Sequence, residues 1–152
     1  MINGSKYRGE DECGHAVIEI ALMAPWIFLL FIAVFNFGFY AFAAITTQNA
    51  ARIAALATSA NPGSVASQAT ACVHALGEMR MLPNIAGLAP TYGCAALPLT
   101  VTATAVPDAE DPAKFAASRV AVTYQTVQLF PLPFMMGRMT LTRVAEMRVF
   151  GE

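Results

Sequence analysis

Residues 14–45 read GHAVIEIALMAPWIFLLFIAVFNFGFYAFAAI, and this stretch decides the fold. From Ile20 to Ala51 the chain has no Asp, Glu, Lys, Arg or His. As a helix, the roughly 26 residues from Ile20 to Ile45 reach about 39 Å, more than the ~30 Å hydrocarbon core of a bilayer. Glu19 stands at the entry of this run, where a carboxylate is costly unless it reaches the head groups or a cation. The pattern predicts a membrane-spanning helix.

Three interpretations of the apolar run compete. A buried core helix is disfavoured, because a soluble domain of this size seldom buries so long a helix that is apolar all round. A cleaved secretory signal has a possible site at Ala41–Ala43, but its apolar region exceeds the usual length and Glu19 sits at its entry. The third interpretation is an anchor that remains in the mature protein.

Composition limits the class of protein. The chain has 152 residues, which suits one domain plus an anchor. Hydrophobic residues make up 57% and charged residues 12%, which argues against disorder and for membrane attachment. The formal net charge is −1 and no basic run is present, so nucleic-acid binding is disfavoured.

The apolar run and its flanks also follow a family pattern. The run resembles the N-terminus of TadE-like pseudopilins of the Tad (Flp) pilus system. There, a stretch of small residues leads to E-[FY]-A-L-x-x-P, an apolar helix and an A-A-R-x-A-A element. Ile20 stands where Phe or Tyr is usual. The residues that fill the family positions are Glu19, Ala21, Leu22, Pro25, Gly38, Ala50, Ala51 and Arg52.

The resemblance implies a processing step. Residues 1–14 are then a cytoplasmic leader, an orientation that Lys6 and Arg8 ahead of the apolar run also favour. A prepilin peptidase is expected to cut after Gly14, which leaves His15 as the new N-terminus. In pilin-like assemblies a carboxylate at the position of Glu19 is thought to meet the terminal amine of a neighbouring subunit and so to set the register. A solvated carboxylate that interacts with the helix dipole is the simpler alternative.

The rest of the chain predicts an α+β, pilin-like fold. Residues 15–60 form one helix, anchor first and scaffold second, with Ile45, Ala51, Ala55 and Leu56 covering the globular part. Residues 61–152 form the extracytoplasmic part. Its predicted elements are a turn at 61–64 with Ser64 as N-cap, a helix Val65–Met81, a loop Pro83–Pro98 and strands Leu99–Val106, Arg119–Phe130 and Met139–Phe150.

Finer expectations concern the faces of these elements. The inner face of the second helix is expected to hold Val65, Ala69, Cys72, Val73, Leu76 and Met79. The middle strand places Val120, Val122 and Tyr124 on one face, and a change of parity at Val127 predicts a bulge. The apolar loop 131–137 is a candidate surface for a partner.

Two cysteines lie beyond the apolar run. An extracytoplasmic location is oxidising, so we expect a disulfide between Cys72 and Cys94, with two buried free thiols as the alternative. Cys13 belongs to the leader and is lost on cleavage.

No catalytic constellation, phosphate loop or metal-spaced cluster is found, which predicts no enzyme activity, no cofactor, no metal and no small-molecule substrate. With the resemblance, the sequence indicates a minor pseudopilin of the bacterial inner membrane, with its N-terminus cytoplasmic and its C-terminal domain periplasmic. Its partners are then a prepilin peptidase, other Tad pilins, the assembly platform and membrane lipid. The alternatives are an uncleaved, anchored periplasmic binding or adhesion module, and a secreted protein cut after Ala43.

Overall fold

The first helix, α1, spans Glu10–Ser59 and has 50 residues. The structure, a computed structural model, describes residues 10–88, 93–109, 115–129 and 137–149, with side chains from residue 15 onward. The chain divides into two compact units, Met1–Gly38 and Phe39–Glu152. The helix begins earlier than predicted and continues through Pro25. It stops ahead of Asn61, Pro62 and Gly63, residues that favour a turn.

The buried side of α1 in the second unit is built from small residues. Four residues of α1 were predicted to cover the globular part. This prediction was right for Ala51 and Ala55 but wrong for Ile45 and Leu56, which are 63% and 49% exposed. Alanine carries only a methyl group, so a helix face of alanines can lie close to its neighbours. The fully buried alanines of this face are Ala43, Ala50, Ala51, Ala54 and Ala55.

The second helix, α2, spans Gln68–Met79, three residues later than predicted at its start. Ser67 is its N-cap and accepts a hydrogen bond from the backbone N–H of Thr70. The prediction of Ser64 as the cap was wrong, because Ser64 ends a 3₁₀ turn, Pro62–Ser64, that precedes the helix. The predicted inner face was also wrong in part, since Val73 is 62% exposed. The buried residues are Ala71, Cys72, Ala75 and Met79.

Four antiparallel strands form one sheet in the order β1-β2-β3-β4. They are β1 Ala95–Ala96, β2 Leu99–Pro107, β3 Phe115–Gln125 and β4 Thr140–Arg148. The three predicted strands are confirmed, although β3 begins and ends earlier than expected. The two-residue β1 lies within the segment predicted as a loop. The structure therefore has the α+β arrangement that the sequence predicts.

The register of the sheet corrects the predicted bulge. The ladder between β3 and β4 is unbroken, and Val127 lies beyond the end of β3. The irregularity lies instead between Val106 and Pro107 on β2. Proline has no N–H to donate to a ladder, which explains why the regular pairing fails at that end. Residues 131–136 of the predicted apolar loop 131–137 lie outside the described residues.

One cluster of buried residues joins the helices to the sheet. It combines the alanines of α1 with α2 residues such as Met79 and with the inner face of the sheet. Val120, Val122 and Tyr124 are fully buried there, as predicted. A buried hydrogen bond of 2.7 Å between the hydroxyls of Thr58 and Ser118 fixes the end of α1 against β3.

Candidate processing and assembly segment

The predicted processing residues lie on the first turns of the long helix. The backbone is helical from Glu10, so the helix passes through the Gly14–His15 bond without a break. At 1.5 Å per residue, Gly14 and Glu19 are about 7.5 Å apart along the helix axis. The helix thus brings the predicted cleavage point and the predicted register residue into one short segment.

His15 and Glu19 contact each other. They are four residues apart on the helix, and His15 Nε2 lies 3.4 Å from Glu19 Oε1. The two side chains are 78% and 67% exposed, so the pair adds little to stability in water, where its charges are solvated and screened. The pairing carries a full opposite charge only when the imidazole is protonated. Glu19 therefore has a potential cationic partner within its own chain.

This partner was not predicted from the sequence, in which His15 was interpreted only as a future N-terminus and the cation near Glu19 as the terminal amine. The signal was available, because side chains at i and i+4 on a helix are neighbours. The structure thus leaves two groups of residue 15, the imidazole and the amine that cleavage would create, as possible partners of Glu19.

The helix that follows has the properties of a membrane span. Residues His15–Ser59 contain a stretch of mean hydropathy 2.5 in which only 6% of residues are buried. The helix is therefore long and apolar enough to cross a membrane, compatible with a single-pass anchor. A core helix of a soluble domain would be mostly buried, so this finding disfavours that alternative.

The A-A-R-x-A-A element has a clear structural role. Ala50, Ala51, Ala54 and Ala55 are fully buried in the common core. Arg52, between the two alanine pairs, is exposed. The spacing puts four methyl groups on one side of the helix and the cation on the other. This motif docks the helix on its own globular part.

The two predicted disulfide partners lie together. Cys72 belongs to α2, and Cys94 directly precedes β1. Their sulfur atoms are 2.01 Å apart, and the Cα atoms are 5.7 Å apart, across 22 residues of sequence. The bond lies in the second unit, far along the chain from the predicted processing residues Gly14 and His15.

Within the described residues, no group of three or more His, Cys, Asp or Glu is placed to hold a metal ion. The segment from Gly14 to Glu19 contains one imidazole and one carboxylate, which can form an ion pair or a hydrogen bond.

Comparison with known families then places the segment. Residues 14–56 match the family model described as TadE-like protein. Over this range the chain is similar to the TadE-like family. The match begins at Gly14, contains Glu19 and ends within α1, so the resemblance inferred from the sequence is confirmed over this range. The TadE-like segment indicates a protein associated with the Tad pilus. No curated protein and no solved structure matches the chain.

Proposed function

We propose that the protein is a minor pseudopilin of a Tad (Flp, type IV-like) pilus or secretion apparatus. The observation that carries the proposal is the TadE-like match over residues 14–56, which joins Gly14 and Glu19 to a helix able to span a membrane. The described globular part, with its own core and sheet, supports a minor rather than a major subunit, because major pilins of that system are very short. The role is assembly rather than catalysis.

The proposed topology follows from the helix. Residues 1–14 lie in the cytoplasm, α1 crosses the inner membrane, and residues 61–152 are periplasmic. A prepilin peptidase cuts after Gly14, which removes Cys13 with the leader and exposes the amine of His15. Glycine has no side chain, so it suits a narrow cleavage pocket.

Glu19 then acts in assembly. In an apolar bundle of helices an unpaired carboxylate is costly, so a subunit settles where Glu19 meets a cation. The terminal amine of a neighbouring subunit supplies that cation in the proposed assembly. The contact between the imidazole of His15 and the carboxylate of Glu19 within one chain supports a role of Glu19 as a partner for cations. The partners are other Tad pilins and the inner-membrane assembly platform.

An uncleaved, membrane-anchored periplasmic module is the second candidate. It is favoured by the helical backbone across the Gly14–His15 bond, which shows no boundary at the proposed cut. The secreted alternative, cut after Ala43, is less well supported, because Ala43 is fully buried within the continuous helix.

The N-terminus of the protein from membranes of a piliated host tests these candidates. Intact mass and Edman degradation should give His15 as the first residue. Gly14→Lys should abolish this processing, because a long charged side chain replaces hydrogen at the cut. Gly9→Lys, within the same leader, is the matched control and should leave it intact. A start at Met1 would support the uncleaved anchor, and a start at Ala44 the secreted protein.

A further inference from the structure

Strand β4 is an outer strand of the sheet with one side unpaired. The carbonyl of Met139, just before it, accepts a hydrogen bond from the backbone N–H of Thr126, and the N–H of Met139 donates to the Thr126 hydroxyl. Val149, just after the strand, donates its N–H to the carbonyl of Ala116. In an antiparallel ladder such bonds alternate along the strand. The odd-numbered residues of β4 therefore point their backbone N–H and C=O groups toward β3. The even-numbered residues point these groups away from the sheet. These are Thr140, Thr142, Val144, Glu146 and Arg148.

Few of the outward backbone groups of β4 have a hydrogen-bond partner among residues 10–88, 93–109, 115–129 and 137–149. Among the described residues, the hydrogen bond found on this side is made by Arg143, whose Nη1 donates to the carbonyl of Thr142 at 3.0 Å. Within the described part of the chain, the even-numbered residues of this strand thus present a nearly complete row of free donors and acceptors. Such an edge is a template for another strand.

The opposite edge of the sheet, in contrast to β4, is covered. The short strand β1 covers the start of β2. Beyond it, the side-chain amide of Gln68 from α2 donates to the carbonyl of Val101 and accepts from the N–H of Ala103. An amide side chain thus takes the place of a neighbouring strand on β2. The contrast leaves β4 as the accessible edge in the described part of the sheet.

We propose that β4 pairs antiparallel with β4 of a second copy of this chain, about a two-fold axis at Val144. This register pairs all nine residues of each strand. Val144, which is 43% exposed, then meets Val144 of the second copy. On the inner face Leu141 meets Met147, so two half-buried apolar side chains cover each other. The two sheets become one continuous sheet of eight strands.

Charge selects this register over its neighbours. Axes at Arg143 or Glu146 would set two like charges directly opposite each other, which is unfavourable. With the axis at Val144, Arg143 faces Ala145, Glu146 faces Thr142 and Arg148 faces Thr140. An axis at Ala145 also avoids like charges, but it sets Val144 against Glu146 and Met147 against Arg143. A self-complementary edge favours a second copy, because one patch serves both partners of a two-fold dimer.

Cysteine crosslinking of the full chain tests the proposal. All cysteine variants carry Cys13→Ser, so that the new cysteine is the only one outside the Cys72–Cys94 disulfide. Opposed residues at the axis have Cα atoms about 5.5 Å apart, within the range of a disulfide, so Val144→Cys should form a crosslinked dimer under mild oxidation. Thr142→Cys is the matched control on the same strand and face. Its two copies lie about 13 Å apart along the strands and should crosslink at least about tenfold less.

A proline variant tests the backbone contacts. The N–H of Val144 points away from β3, so Val144→Pro keeps the ladder within the chain, as edge strands permit. A mixture of Thr142→Cys and Glu146→Cys chains should crosslink, because these residues face each other, and Val144→Pro added to both should abolish that product. Retention of the Cys72–Cys94 disulfide and of cooperative unfolding shows that the variant is folded.

The outcomes are decisive. Crosslinking at Val144 and not at Thr142 supports the pairing. Equal crosslinking at both positions would indicate random collision and would overturn it, as would no crosslinking at either. Crosslinking that survives Val144→Pro would also overturn it, since a contact through the anchor helices does not depend on the edge of β4. The test is independent of cleavage after Gly14, so its failure leaves the proposed function standing.

Discussion

A single side chain, Tyr124, ties the segment after α2 to the sheet. It is fully buried on β3, and its hydroxyl donates to Asn84 Oδ1 at 2.6 Å. The amide of Asn84 donates in turn to the backbone carbonyl of Gln125 at 2.8 Å. The alternation of β3 predicts that Tyr124 points inward, but it says nothing of Asn84, which comes from a loop 40 residues away.

This tyrosine gives the protein a predictable alkaline limit. Burial raises the pKa of Tyr124 to about 12 from the ordinary 10.0, against a smaller lowering by the hydrogen bond with Asn84. Below pH 10 both folded and unfolded states keep the proton. Between about 10 and 12 the unfolded state ionises first, so the free energy of unfolding should fall by on the order of 2 kcal/mol. Denaturant unfolding of the detergent-solubilised chain at several pH values measures this loss.

Tyr124→Phe separates this titration from general alkaline effects. It removes the ionisable hydroxyl, so the variant should lose less stability between pH 10 and 12 than the wild type does, even if it starts from a lower value. Parallel slopes for the two proteins would show that the phenol of Tyr124 does not cause the decline.

At the scale of elements, the helices pack through small residues. Both α1 and α2 bury alanines, while larger apolar residues such as Leu56 and Val73 remain exposed. Hydrophobic periodicity gives most weight to large side chains, so it identified the helices but placed their faces poorly. How closely a helix can approach the sheet depends on the opposing strands, which a pattern within one helix does not contain.

Enlarging the buried face of α1 should therefore be costly. Ala51 has no exposed surface, and Ala51→Leu adds three carbon atoms to a filled core. We expect the free energy of unfolding to fall by about 1–3 kcal/mol, measured by denaturant unfolding. Leu56→Ala, on the exposed side of the same helix, is the control and should change it by only about 0.5 kcal/mol. A larger effect at Leu56 than at Ala51 would contradict the observed packing.

For the whole molecule, the disulfide between Cys72 and Cys94 closes a loop that connects α2 to the start of the sheet. A cross-link lowers the entropy of the unfolded chain more than that of the folded one. Over a separation of 22 residues, replacing both cysteines by alanine should cost roughly 3 kcal/mol of unfolding free energy. Cys13→Ser, outside this loop, should have no such effect. Equal stability of all three proteins would contradict a stabilising bond.

Much of the fold was predictable because it depends on local patterns. The apolar run gives α1, Asn61 and the residues after it give its end, and alternation gives the three long strands. The predicted bulge near Val127 was wrong because parity alone cannot show where pairing stops. The face of α2 was partly wrong because large side chains were given more weight than packing distance. In the candidate site, the spacing of Gly14 and Glu19 is visible in the sequence, whereas the role of His15 as a partner was overlooked.

The sequence by itself determined the features that depend on neighbours along the chain: the apolar helix with Glu19 at its entry, the family motif, and the order of helices and strands. Only the tertiary structure decided which residues meet across long separations. It paired Thr58 with Ser118 and Tyr124 with Asn84. It also covered one edge of the sheet with Gln68 and left β4 as the open edge among the described strands. The physical reason is that such contacts depend on distances between elements, and a linear pattern carries no information about them.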